Sequence, residues 1–317
     1  MAHPDRPLRL IFMGTPEFAA TTLGYLLKGP DQVVAVVTQP DRPKGRGKKL
    51  APPPVKVLAE QAGLPILQPV KIKTAEFHNE LQQYRPDLIV VAAYGRILPP
   101  SLLELPPGGC INVHGSLLPA HRGAAPIQWA IIKGDAEVGV TIMQMAEGMD
   151  TGPILLQSSL QPTADETAGS LFPKLAELGG VTLLTALDLY KNGKLVAQPQ
   201  DSCHASHAPM LKKEDGRIDW QRPAAEIHCL IRGLDPWPSA CCWLGQNRLQ
   251  LYSPEIIHQD SQATPGTLLR ADRRGLLIAT GHNCLLVREV QPEGKKRMTV
   301  EAFLCGHPLT AGLSLSA

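Results

Sequence analysis

The chain has 317 residues, enough for two domains with separate cores, and its 44% hydrophobic and 19% charged residues exclude a disordered or fibrous polypeptide. A net charge of +2 excludes a globally basic surface, so any nucleic-acid footprint has to be local. The seven cysteines (Cys110, Cys203, Cys229, Cys241, Cys242, Cys284 and Cys305) are odd in number and lack paired C-x-x-C spacing, which argues against zinc and disulfides and for a reducing cytoplasm.

Residues 8–13 form a compact apolar run that predicts a strand. Gly14-Thr15-Pro16-Glu17 is its turn, and Phe18, Leu23, Leu26 and Leu27 then recur at helical spacing. Residues 33–37 read as the next strand, 55–62 and 74–84 as helices, and 88–93 as a further strand, an alternation that predicts an α/β fold with a parallel sheet. The first turn has one glycine where G-x-G-x-x-G needs three, and no G-x-x-x-x-G-K-[ST] is present. A Rossmann-like sheet without a bound nucleotide is therefore expected. Residues 110–114 continue the same parallel sheet, and 139–145 with 154–160 form a hairpin with Asp150 near its tip. Residues 166–189 read as a long helix, kinked or started late at Pro173. Residues 191–208 read as a linker between parts 1–190 and 209–317. In the second part, short apolar segments at 240–244, 249–252, 266–269, 276–279 and 284–287 predict a small β-barrel or open sheet. No apolar run approaches membrane-spanning length and no export signal is legible, so no membrane partner is expected.

Chemistry concentrates in Cys110-Ile111-Asn112-Val113-His114-Gly115-Ser116-Leu117-Leu118-Pro119. Strand side chains alternate, so Asn112 and His114 project from one face at a carboxyl end, where open α/β sheets gather ligands. An amide able to donate to an oxyanion then stands beside an imidazole able to move a proton, and Asp150 supplies a carboxylate to orient it. Ser116 lacks the G-x-S-x-G elbow of an acyl-enzyme nucleophile. Cys203-His204-Ala205-Ser206-His207 lacks a fourth partner for a metal, so none is expected. The segment following the second strand carries Arg42, Lys44, Arg46, Lys48 and Lys49 against Asp41, a local charge of 5 − 1 = +4. Its prolines and glycines predict a loop at that edge, and cations without interleaved aromatics suit phosphate backbones better than stacked bases.

With these motifs, the chain closely resembles the methionyl-tRNA formyltransferase family of folate-dependent formyltransferases, over nearly its whole length. Further matching motifs are Gly14-Thr15-Pro16, Gln39-Pro40-Asp41-Arg42-Pro43 with Gly45-Arg46-Gly47-Lys48-Lys49, Ala93-Tyr94-Gly95, Arg122-Gly123-Ala124-Ala125-Pro126-Ile127-Gln128, Asp150-Thr151-Gly152, Lys213-Glu214-Asp215-Gly216-Arg217-Ile218-Asp219-Trp220 and Pro236-Trp237-Pro238. The resemblance implies a Rossmann-like formyltransferase domain followed by an OB-type tRNA-binding barrel. It implies formyl transfer from 10-formyltetrahydrofolate to the α-amine of initiator methionyl-tRNA by a cytoplasmic monomer that uses no metal and no nucleotide. By the same likeness Asn112, His114 and Asp150 are catalytic. Folate contacts fall on Ser116, Leu117, Leu118 and Pro119 and on the backbone around Arg96, Ile97 and Leu98. The loop with Arg42, Lys44, Arg46, Lys48 and Lys49 meets the tRNA acceptor end. His207, Met210 and the pair Ala120-His121 depart from the family pattern, leaving the tRNA contacts less defined than the chemistry. The competing readings are a folate-dependent formyltransferase for a small amine, a formyl-folate hydrolase and a catalytically silent tRNA-binding module.

Overall fold

In a computed structural model, residues 6–44 and 49–316 are described, with the side chains of Lys44 and Lys49 left aside. The chain forms two compact units: Met1–Pro126 with Glu137–Leu160 and Phe172–Pro209, and Ile127–Ala136 with Gln161–Leu171 and Met210–Ala317.

The first unit contains strands β1 (Arg9–Gly14), β2 (Gln32–Val37), β3 (Arg42–Lys44), β4 (Lys49–Ala51), β5 (Ile66–Leu67), β6 (Leu88–Ala92), β7 (Cys110–His114), β8 (Arg122–Gly123), β9 (Val138–Gln144), β10 (Ile154–Leu160) and β11 (His207–Ala208). Its helices are α1 (Glu17–Lys28), α2 (Pro54–Gln61), α3 (Ala75–Gln83) and α4 (Pro100–Leu103). Helix α5 (Pro126–Lys133) belongs to the second unit beyond its first residue, and α6 (Ala168–Lys191) joins the first at Phe172.

The main sheet runs β10-β9-β7-β6-β1-β2-β5. The strands from β7 to β5 are parallel as expected, and β9 and β10 pair antiparallel as the expected hairpin, with β9 also antiparallel to β7 at that edge of the sheet. Within the hairpin, the connection of residues 145–153 reverses the chain and makes β9 and β10 antiparallel.

Strands β1, β2 and β6 are nearly continuous apolar runs because helices cover both faces. Ile11, Met13, Val37, Ile89, Val91 and Cys110 meet Phe77, Leu81 and Leu102 of α3 and α4 in one core layer. On the other face α6 runs so close that a Cβ at Gly179 would meet Val113, and one at Gly180 would meet Tyr25 of α1. Thr74 caps α3 by accepting from the Phe77 amide, 3.3 Å. Pro173 sits inside α6 instead of delaying its start. The basic segment, expected as an irregular loop, has paired flanks, Arg42 opposite Ala51 and Pro43 opposite Leu50. Arg46 and Lys48 lie outside the described residues.

In the second unit, α7 (Ala224–Gly233) precedes antiparallel strands β12 (Cys241–Leu244), β13 (Asn247–Ile257), β14 (Leu268–Asp272), β15 (Gly275–Ala279) and β16 (Cys284–Pro292), then β17 (Met298–Thr299), α8 (Val300–Gly306) and β18 (Leu315–Ser316). Strand β18 pairs with β12, while the Leu268 amide donates to the Leu313 carbonyl and the Leu315 amide to the Gly266 carbonyl, 2.8 and 2.9 Å. Residues 312–316 thus bridge from β12 to the start of β14, the two ends of the sheet. No helix among the described residues is long and apolar enough to cross a membrane.

Candidate active site

Strand β7 delivers Asn112 and His114 to the carboxyl end of the sheet, on the face that also bears Cys110. Cys110 is sunk in the core, where burial pushes its thiol up to about 12. Asn112 is half-buried, and among the described residues its amide has no side-chain partner. His114 is buried at the rim with a polar group facing each ring nitrogen. Its Nε2 lies 3.0 Å from the His121 carbonyl, which can only accept, so Nε2 carries the proton. Its Nδ1 faces Asp150 Oδ2 at 3.7 Å, beyond direct hydrogen-bond reach. A neutral imidazole in this tautomer turns a lone pair toward a carboxylate, and the contact becomes attractive once Nδ1 takes up a proton. With side-chain exposures of 6% and 16%, water does little to weaken that attraction.

Asp150 stands at the tip of the β9–β10 hairpin in a left-handed conformation, φ +53, which costs a non-glycine residue about 1 kcal/mol. Its Oδ2 accepts from the Gly123 amide, 2.9 Å. Gly123 has φ +130, and a Cβ there would lie 2.5 Å from the Ala208 carbonyl. Two residues past Asp150, a Cβ on Gly152 would come within 1.8 Å of the Gln144 carbonyl oxygen, so only glycine closes the hairpin this tightly. Sequence reasoning missed Gln200, which lies in the segment read as a linker. Its Nε2 donates to the Asp150 and Gly152 carbonyls at 2.8 and 2.7 Å. Its Oε1 accepts from Arg122 Nε and Nη2 at 3.0 and 2.7 Å.

The turn after His114 is held from below. Thr141 Oγ1 donates to the Ser116 carbonyl, 2.6 Å, and accepts from the Leu118 amide, 3.0 Å, and from Gln157 Nε2, 2.9 Å. Gln157 also donates to the Leu118 carbonyl, 2.9 Å. Thr141, a hydroxyl in the midst of the apolar run of β9, is the sequence signal for this support. Ser116 Oγ points inward to the Ala120 carbonyl, 2.6 Å, Leu118 is buried, and Leu117 lies over Gly139. Pro119 is half-buried at the end of the turn.

Arg96, Ile97 and Leu98 follow β6, the strand beside β7, so they share its edge. Arg96 donates to Gln39 Oε1 and to the Val70 carbonyl, 3.2 and 2.8 Å. Leu98 is packed in the core, leaving only its backbone for a ligand, whereas Ile97 is 64% exposed. The loops after β1, β2 and β6 line a cavity of about 410 Å³ containing Thr15, Gln39, Arg42, Tyr94 and the prolines 52–54. The Asn112, His114 and Asp150 group lies one strand further along that edge. Arg42 is exposed at the cavity, and Asp41 beside it is gripped by Lys56 at 2.8 Å and Gln68 at 2.8 Å. Those two hydrogen bonds, Gln68 first, hold the Asp41 carboxyl below the usual carboxylate range. The one acid of the basic segment is thus already paired and does not offset its cations.

A model of the formyl transferase family matches residues 8–187, and one of the formyl transferase C-terminal domain matches residues 210–308. Methionyl-tRNA formyltransferase of Desulfotalea psychrophila is 66% identical over 97% of this chain and 95% of its own length. That of Trichlorobacter lovleyi is 50% identical over 97% and 96%. Among solved structures, the N-formyltransferase from Helicobacter canadensis, in complex with folinic acid and dTDP-3-aminofucose, superposes with TM-score 0.67 at 18% identity. It covers 90% of this chain and 99% of that one, a likeness of fold.

Proposed function

The chain belongs to the formyl transferase family, and within it to the methionyl-tRNA formyltransferases, and from that premise we propose that Asn112, His114 and Asp150 carry its reaction, with 10-formyltetrahydrofolate as donor. The enzyme formylates initiator methionyl-tRNA. The observation that carries the assignment is the meeting of His114 Nδ1 and Asp150 Oδ2 across two elements, beside an Asn112 amide with no hydrogen-bond partner among the described residues.

The neutral α-amine attacks the formyl carbon. A new N–C bond forms, the C–N10 bond to the folate breaks, and the proton lost by the amine ends on the folate nitrogen. Negative charge develops on the formyl oxygen, and the Asn112 amide is the donor best able to meet it, because the imidazole's one N–H is held by the His121 carbonyl and its Nδ1 carries no proton to donate. With Nε2–H held by the His121 carbonyl, Nδ1 is the basic site that takes the amine proton, directly or through a water, and passes it on. Asp150 stabilises the imidazolium in between.

Ser116, Leu117, Leu118 and Pro119 with the backbone at Arg96, Ile97 and Leu98 form the folate wall. Arg42, Lys44, Arg46, Lys48 and Lys49 meet the acceptor end, where the Arg42 guanidinium can fork onto phosphate or a base edge. The acceptor sets the work in the cytoplasm, which the seven unpaired cysteines suit, and the catalyst acts as a monomer. Single-turnover formylation tests the trio: His114→Ala and Asp150→Ala should each slow transfer by roughly a hundredfold or more. Near-parental rates would refute the assignment. Glycinamide ribonucleotide, run in parallel as acceptor, should stay unmodified.

A further inference from the structure

We infer that Gln200 is a positioning residue for formyl transfer, holding the Asp150 turn in its active geometry with Arg122 as its anchor; this rests on the catalytic reading of Asp150. Four hydrogen bonds saturate the Gln200 amide, two donated and two accepted, all between 2.7 and 3.0 Å. Its orientation is unambiguous, because Oε1 faces only donors on Arg122 and Nε2 faces only the carbonyls of Asp150 and Gly152. No other side chain offers two donors and two acceptors at this length. The contact grips the main chain of Asp150 itself, at a residue held with φ +53, and of the glycine that closes the hairpin.

Two further features make the contact specific. Arg122 is 8% exposed, and among the described residues its guanidinium has no carboxylate partner and is held by Gln200. Its neighbour Gly123 donates its amide to Asp150 Oδ2, so the 122–123 segment secures the carboxylate while its guanidinium secures the glutamine that secures the backbone. Both ends of Asp150 are thereby referred to one short strand, β8, which pairs in parallel with β11 of the same segment that supplies Gln200. Loss of either grip lets the turn relax and lengthens the path from Asp150 Oδ2 to His114 Nδ1.

Gln200→Glu separates the roles: it keeps the length and the Arg122 contact but sets an acceptor against two carbonyls. In single-turnover and steady-state formylation by the full-length enzyme, kcat should fall roughly tenfold or more while KM for methionyl-tRNA and for formyl-folate changes less than about threefold. In an Asp150→Asn background the same change should cost less than about threefold further, because the group it positions is already disabled. A Gln200→Glu enzyme within about twofold of the parent, beside a slow Asp150→Asn enzyme, overturns the inference and leaves the Asp150 assignment standing. Full additivity of the two changes, or equal losses in both KM values, also overturns it, since Gln200 would then be scaffold. A near-normal Asp150→Asn enzyme refutes the catalytic reading instead. If Gln200→Glu fails to fold, as judged by its melting transition, Arg122→Lys carries the same comparison, because lysine keeps the charge and loses the fork.

Discussion

Replacing Thr141 with valine exchanges one interior oxygen for a methyl of nearly the same size, at a residue with no solvent exposure. Two main-chain groups lose their partner: the Ser116 carbonyl, which accepts from Thr141 Oγ1 at 2.6 Å, and the Leu118 amide, which donates to it at 3.0 Å. Each buried group left unsatisfied costs about 1–3 kcal/mol, and the added methyl recovers about 0.8 kcal/mol, so for the two groups a net loss of about 1–5 kcal/mol is expected. Gln157 Nε2 keeps its bond to the Leu118 carbonyl, so the damage centres on the turn following His114. Thr141→Ser retains the oxygen, loses a methyl, and should cost only about 1 kcal/mol. Urea denaturation measures the stability change, and KM for formyl-folate measured beside KM for methionyl-tRNA locates it. The folate value should rise roughly tenfold as the turn's native geometry becomes a minor population, with the tRNA value nearly unchanged. A valine variant within about 0.5 kcal/mol of the parent, with an unaltered folate KM, would refute the claim that this hydroxyl supports the folate wall.

Arg42→Ala should raise KM for methionyl-tRNA and flatten its salt dependence while leaving folate affinity alone, because Arg42 is exposed on a strand whose neighbouring acid is already paired. Equal losses for both substrates would instead indicate disturbed folding. His228 in α7 accepts from Arg232 at 3.2 Å, and burial followed by the Arg232 charge lowers its pKa to about 4 from the usual 6.5. The unfolded chain therefore binds the extra proton between those values, so stability should fall as pH drops from about 6.5 toward about 4. Urea midpoints over that range should slope in the parent and flatten in His228→Gln; parallel slopes would refute it.

The strands β1, β2 and β6 were legible because helices on both faces leave room for a polar residue only at the start of β1 and β2, Arg9 and Gln32, and a nearly unbroken apolar run is what such burial requires. Asn112 and His114 were legible as neighbours because a strand repeats every two residues, and Asp150 as a hairpin tip because glycine and short apolar runs flank it. The direction of β9 against β7 was not legible, since an apolar pattern is the same for either orientation. Nor was the tautomer of His114, which is decided by the carbonyl of His121 arriving from the following turn.

Local spacing, burial period and turn chemistry belong to the order of residues, so the chain alone determined the strand-and-helix alternation, the Asn112 and His114 face, and the charge of the segment after β2. Contacts between distant residues belong to the packed molecule, so only tertiary structure decided that Gln200 would hold Asp150, that Lys56 and Gln68 would pair with Asp41, and that residues 312–316 would bridge the two ends of the second unit's sheet. A side chain records what it can bond, but which partner it meets depends on how the intervening chain folds back. That path is fixed by the burial of the whole core, not by any one segment.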